Sequence, residues 1–299
     1  MTWKRVATAA VLIPCVVGLV LWGSTALLAL GTALVILLAI FEFFALGDAI
    51  GHRAYRFWTA TCALLLVFVQ WWAANLPQLG YLGMPGRMGS SIPSIERAPM
   101  FLLRSPPTSG DVFFLFLLGV TVLTLWTKRP MVEALPAAGI SSSGLILVAL
   151  PLTFAVRLHG LPQQGPAILL FVLVGTWVGD SVAYFVGRAV GKHQLAPILS
   201  PKKTWEGSIA SILGALLVAV VFTRWLSVPL PHLLAIAAVG NIAGQAGDLL
   251  ESAYKRSAGV KDSGALLPGH GGVLDRIDAL ILAIPVVWYY WIWVYLPSR

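Results

Sequence analysis

Charge is scarce in this chain. Only 11% of its 299 residues are Asp, Glu, Lys or Arg, against about 25% in an ordinary soluble domain. That shortage excludes a soluble globular enzyme, which needs a charged surface. It also excludes a disordered segment, which needs charge without apolar bulk. Cysteine is nearly absent: Cys15 and Cys62 each lie inside an apolar run, so a disulfide scaffold is excluded and both read as small core hydrophobes. No GxxxxGK[ST] segment occurs, which removes the P-loop as a means of holding nucleotide phosphates. Nor is there an internal repeat of the kind that builds inverted-repeat transporters.

Apolar residues are abundant. They make up 58% of the chain, and the mean hydropathy is +0.86, as expected when lipid is the solvent. Apolar runs between charged or Pro/Gly-rich breaks give nine candidate spans, roughly 6–22, 25–46, 57–76, 111–127, 138–157, 166–187, 208–226, 231–250 and 279–296. The fold class expected is all-α, a polytopic integral membrane protein of about nine transmembrane helices. The basic start at Lys4 and Arg5 leads into the first run without a small-residue cleavage site, so that run reads as a retained span. The short gap at 227–230 predicts that spans seven and eight are antiparallel neighbours.

The net charge of +8 fits the anchoring of helix ends better than a nucleic-acid partner. With the N-terminus in the cytoplasm and nine alternating spans, 14 of the 20 basic residues fall on the cytoplasmic side. The expected topology is therefore N-in and C-out. The loop 77–110 is Pro-, Gly- and Ser-rich, lies outside, and carries no cluster of chemistry-bearing residues.

Polar residues divide the chain unevenly. Residues 1–165 read as a nearly silent membrane region. Glu42 is its exception, either a helix-end carboxylate or a partner to the site that follows. Residues 166–299 read as the catalytic membrane region, with cytoplasmic loops 188–207 and 251–278. Seven of the 12 acidic residues lie from Asp180 onward. Asp180 and Asp248 fall within apolar spans, where a carboxylate costs about 2.5–3.5 kcal/mol unless a cation or water meets it. The segment 200–207, SPKKTWEG, has a proline and a glycine as turn signals, with Lys202, Lys203 and the Thr204 hydroxyl suited to phosphate oxygens. The second loop combines Lys255, Arg256, Lys261 and Arg276 with Asp262, Asp275 and Asp278, and sets His270 among glycines. Asp275 and Asp278 are three apart, so they share a helix face. Both signs in one site suit a polyphosphate with Mg²⁺, in which carboxylates take the metal and basic side chains take the remaining phosphate charge.

Ser252, Lys255, Arg256, Lys261, Asp262, His270, Gly271, Gly272, Asp275, Arg276 and Asp278 fill a long gapped pattern that resembles the C-terminal signature of the phosphatidate cytidylyltransferase (CDP-diacylglycerol synthase) family. SPKKTWEG at 200–207 and GQAGDL at 244–249 resemble the same family. At 181 the chain has Ser where that family usually has Thr, which keeps the hydroxyl. The resemblance covers roughly 175–278. It implies that CTP and phosphatidic acid give CDP-diacylglycerol and pyrophosphate in a bacterial cytoplasmic (inner) membrane, with the active site at the cytoplasmic face. It implies Mg²⁺ on Asp248 and Asp275, with Asp180 and Asp278 as further metal candidates and a monovalent cation nearby. Asp248, Asp275, Lys255, Arg256 and His270 become catalytic candidates, and Lys202, Lys203, Thr204, Lys261, Asp262 and Arg276 substrate-binding ones. A homodimer is compatible with it. The competing classes are a CTP-dependent polyprenol or phytol kinase, which lacks the full signature, and an ion-coupled transporter, whose acidic groups belong near the midplane.

Overall fold

The structure is a computed structural model. It describes residues 2–80, 106–127, 130–266 and 271–298, with side chains from residue 10 to 75 in the first stretch. His270 and the loop 81–105 lie outside the described residues, as do Lys128 and Arg129.

Nine helices account for most of the described residues: α1 Thr2–Trp22, α2 Thr25–Ala49, α3 Arg56–Gly80, α4 Ser109–Trp126, α5 Met131–His159, α6 Gly165–Val190, α7 Trp205–Phe222, α8 Leu230–Ser257 and α9 Leu274–Ser298. Eight of them, α2 to α9, are long and apolar enough to cross a bilayer, while the described apolar part of α1, Ala10–Trp22, is shorter. The polytopic all-α architecture expected from hydropathy is the one observed. The one sheet among the described residues is a two-stranded antiparallel hairpin, β1 Gln194–Ala196 and β2 Ser200–Thr204.

Local chemistry sets the helix ends. Ser24 caps α2 by accepting from the Leu27 amide at 3.2 Å. Thr108 and Asp111 form a reciprocal capping box at the start of α4, the Thr108 amide donating to Asp111 Oδ2 at 2.7 Å. Pro151 has no N–H to donate within α5, and the turn before it, Gly144–Ala149, widens into a π-helix that absorbs the defect.

Several boundaries differ from the hydropathy reading: α3 runs to Gly80 rather than 76, α5 begins at Met131 rather than 138, and two more shifts lie beside the polar residues. The eighth span continues from 250 to Ser257, and the ninth begins at Leu274, so the polar loop shrinks from 251–278 to 258–273. The charges that ended the apolar run sit four residues apart on α8, where Lys255 Nζ meets Glu251 Oε2 at 2.5 Å. Paired in this way, they are compatible with a helix. The segment 200–207 is not a simple turn either: 200–204 is a strand, and Thr204 caps α7 by accepting from the Gly207 amide at 3.2 Å.

Helix α5 packs against α2, α3 and α9 and joins the two parts of the bundle. In the second part α6 lies along α7, α8 along α9, and α7 against α8, the neighbours expected from the short connection. Close approach of α8 to α9 depends on Gly247, where a Cβ would stand 2.5 Å from the Asp278 carbonyl oxygen.

Candidate active site

Three polar residues of α8, Asn241, Gln245 and Asp248, are spaced by four and three and so share one helix face. The first two form a seam with α7. Asn241 Nδ2 donates to Ser211 Oγ at 3.0 Å, and Gln245 Nε2 donates to Asn241 Oδ1 at 2.7 Å and to the Ser208 carbonyl at 3.2 Å. Ser208 Oγ donates back to Gln245 Oε1. In a bilayer such bonds hold helices in register. They deliver Asp248 to the end of the seam.

There it meets a cation from outside its helix. Lys203 Nζ, on β2, lies 2.5 Å from Asp248 Oδ2, the two side chains 27% and 31% exposed. Asp180 on α6 and Asp278 on α9 are electrostatic neighbours of Asp248, and Arg276 is a neighbour of Asp180. This is the accessible half of the cluster.

The other half is buried. Lys255 Nζ bridges Glu251 on its own helix and Asp275 Oδ1 on α9, the latter at 2.7 Å, and the three side chains are 11%, 3% and 7% exposed. Asp275 also accepts from the Gly272 amide at 2.8 Å and from the Ser263 amide at 3.0 Å. A charge removed from water at this depth persists only when it is paired and hydrogen-bonded.

Behind Asp275, Glu42 of α2 accepts from the Val273 amide at 2.9 Å, the Leu274 amide at 2.8 Å and Ser263 Oγ at 3.1 Å. Of the two readings that the sequence allowed for Glu42, partnership with the site is the observed one. Its carboxylate caps the N-terminal end of α9, where the helix dipole favours negative charge.

The structure thus brings together Asp180, Lys203, Asp248, Arg276 and Asp278, and beside them Lys255 and Asp275. Asp248 and Asp275 are each closed by a lysine rather than by one another. Arg256 spends its guanidinium on backbone: Nη1 donates to the Val260 carbonyl at 3.0 Å and Nε to the Leu199 carbonyl at 3.4 Å, which ties the hairpin tip to α8. Lys202, Lys261 and Asp262 are exposed at the rim. The Thr204 hydroxyl is engaged as a helix cap. Sequence reasoning missed Glu251, Gln245 and Asn241. Their signal was polar residues at helical spacing within an apolar run.

Among the described residues, no three His, Cys, Asp or Glu side chains converge into a ready-made metal cage. Mg²⁺ does not require one, since it is typically held by one or two carboxylates together with water and substrate phosphates. Asp248 and Asp275 fit that donor set. Each already holds a cation at contact distance, an ammonium group at 2.5 and 2.7 Å respectively.

Residues 3–294 match the cytidylyltransferase family. The chain belongs to the cytidylyltransferase family. It is 40% identical over 177 residues to a protein of Haemophilus influenzae named phosphatidate cytidylyltransferase, covering 56% of this chain and 60% of that one. A Bacillus subtilis protein of the same name is 39% identical over 173 residues, 56% of this chain and 64% of the other. One from Brucella abortus is 40% identical over 182 residues, 58% and 63%. Within the cytidylyltransferase family, then, the chain spans about three-fifths of the length of these curated relatives.

Proposed function

We propose that this chain transfers the cytidylyl group of CTP to phosphatidate, forming CDP-diacylglycerol and pyrophosphate, at the cytoplasmic face of a bacterial inner membrane and in an N-in, C-out topology. One observation carries the reading: two aspartates on neighbouring helices, Asp248 and Asp275, each closed by a lysine, sit at one end of a membrane bundle within the residues that match the family. The names of the relatives supply the substrates.

In this reaction an oxygen of the phosphatidate phosphate attacks the α-phosphorus of CTP. A new P–O bond forms, the bond from the α-phosphorus to the bridging oxygen breaks, and pyrophosphate leaves with that electron pair. The attacking phosphate is ionised near neutral pH, so no strong general base is needed. The work falls on positioning and charge neutralisation. Bound Mg²⁺ would supply Lewis acidity and neutralise triphosphate charge, and Asp248 and Asp275 are the residues that would hold it, with Asp180 and Asp278 as further candidates. Lys203, released from Asp248, turns its ammonium to a phosphate oxygen, and Lys202 stands next to it on the same strand. Lys261, Arg276 and His270 are further donors for phosphate oxygens. Arg256 positions the hairpin that carries the lysines. The location suits both substrates, because the nucleotide arrives from the aqueous side and the lipid from the adjoining leaflet.

The test is an assay of the purified chain with radiolabelled CTP and phosphatidate, with and without Mg²⁺. The expected result is a labelled liponucleotide plus pyrophosphate, formed only with the metal. Formation of CDP and a phosphorylated lipid instead would mark a kinase and refute the reading.

A further inference from the structure

Between α3 and α4 lies a cavity of about 1080 Å³, with Asp48, Arg53 and Arg56 at one end and Trp58, Leu118 and Val122 along its length. Its size is at the upper end of that of small-molecule sites. Gly119 creates the depth, because a Cβ there would overlap the Trp58 indole. The indole is fixed in turn, its Nε1–H donating to the Phe116 carbonyl at 3.1 Å.

The walls and the rim differ in chemistry. Polar groups along the walls are already engaged: the hydroxyls of Tyr55 and Thr124 bond each other at 2.9 Å, and Thr61 Oγ1 donates to the Phe57 carbonyl at 2.9 Å. An occupant therefore meets carbon along the trough. The rim carries two guanidinium groups against one carboxylate. Asp48 accepts from Arg56 Nη2, and a guanidinium has five donors in a planar fork that matches phosphate. The lower flank opens sideways, where Leu118 and Val122 are exposed.

The rim also lies at a definite depth. Asp48 follows Glu42 by six residues on α2, about 9 Å along the helix axis, and Glu42 bonds the start of α9. The guanidinium groups thus stand at the same membrane boundary as the aspartate–lysine cluster. A net-positive rim at the boundary, over an apolar trough open to the bilayer, matches a single amphiphile with an anionic head.

We propose that the α3–α4 groove is a second lipid site, holding one anionic glycerophospholipid of the surrounding bilayer with its phosphate at Arg53 and Arg56 and an acyl chain along Trp58, Leu118 and Val122. It is separate from the cluster on α6 to α9 and is not a step in the reaction.

The experiment is native mass spectrometry of the full chain in mild detergent, titrated separately with dioleoyl phosphatidylglycerol, phosphatidate and phosphatidylcholine. The wild type is expected to retain one phosphatidylglycerol or phosphatidate that Arg53→Gln/Arg56→Gln holds roughly tenfold or more weakly, with phosphatidylcholine retained equally weakly by both. Val122→Trp, on the exposed flank, fills the trough without touching the rim and is expected to displace the same lipid at an unchanged melting temperature. Equal retention of phosphatidylcholine, or anionic lipid binding unaffected by either variant, overturns the proposal. So does a disulfide between two copies of Leu118→Cys that forms as fast with anionic lipid present as without it, since a second chain would then occupy the groove.

Discussion

Glu42 and Leu274 are 232 positions apart in the chain and 2.8 Å apart in space, the Leu274 amide donating to Glu42 Oε2. With the Val273 amide and Ser263 Oγ on the same carboxylate, this contact fixes the entry of α9 and, through it, the position of Asp275.

Replacing Glu42 by Ala strands three donors. Hydrogen bonds to a charged group contribute about 1.5–3 kcal/mol each, so Glu42→Ala is expected to lower the melting temperature in detergent and to reduce cytidylyl transfer. Glu42→Gln, which keeps one carbonyl acceptor, should recover part of both. Melts and turnover measured on the same preparations check this.

The buried lysine makes a different prediction. Lys255→Met leaves Glu251 and Asp275 together without their cation, and breaking a buried pair in this way costs about 3–5 kcal/mol. The expected outcome is a large loss of thermal stability, followed by partial recovery in Lys255→Met/Glu251→Gln, which removes one of the stranded charges. A double-mutant cycle of melting temperatures measures the coupling.

The accessible pair should behave in the opposite way. Lys203 and Asp248 are each about a quarter to a third exposed, and ion pairs in contact with water stabilise by about 0–1 kcal/mol. Asp248→Asn and Lys203→Ala are therefore expected to melt close to wild type yet lose about 10²–10³ in rate, the usual effect of deleting one preorganised charge contact. Normal turnover in Asp248→Asn would remove that residue from the metal-binding role.

Chelation offers a test without mutation. EDTA is expected to abolish transfer and added Mg²⁺ to restore it, with the half-restoring Mg²⁺ concentration raised in Asp278→Asn relative to wild type. Titrations of initial rate against free Mg²⁺ give the comparison.

Much of this architecture was legible from hydropathy, because a chain in lipid must satisfy its backbone internally and long apolar runs have few options besides helices. All nine expected spans correspond to helices. The misjudged places are those where charge cancels charge. Glu251 and Lys255 ended an apolar run on paper, yet each neutralises the other and α8 continues past them. Asp275 was singled out from its motif, but its bonds to Lys255, Gly272 and Ser263 could not be inferred from spacing. The partners of Glu42 lie more than 200 positions away, where local pattern carries no information.

The reach of Glu42 across the bundle also bears on how the protein can be dissected. By texture the chain breaks near residue 165, with a quiet first half and a polar second. By bonding it does not, because the loop that seats Asp275 borrows its anchor from the second helix. A fragment beginning at α6 would carry nearly every motif of the site and still lack the strut beneath it, so the two halves are expected to regain function only when both are supplied together.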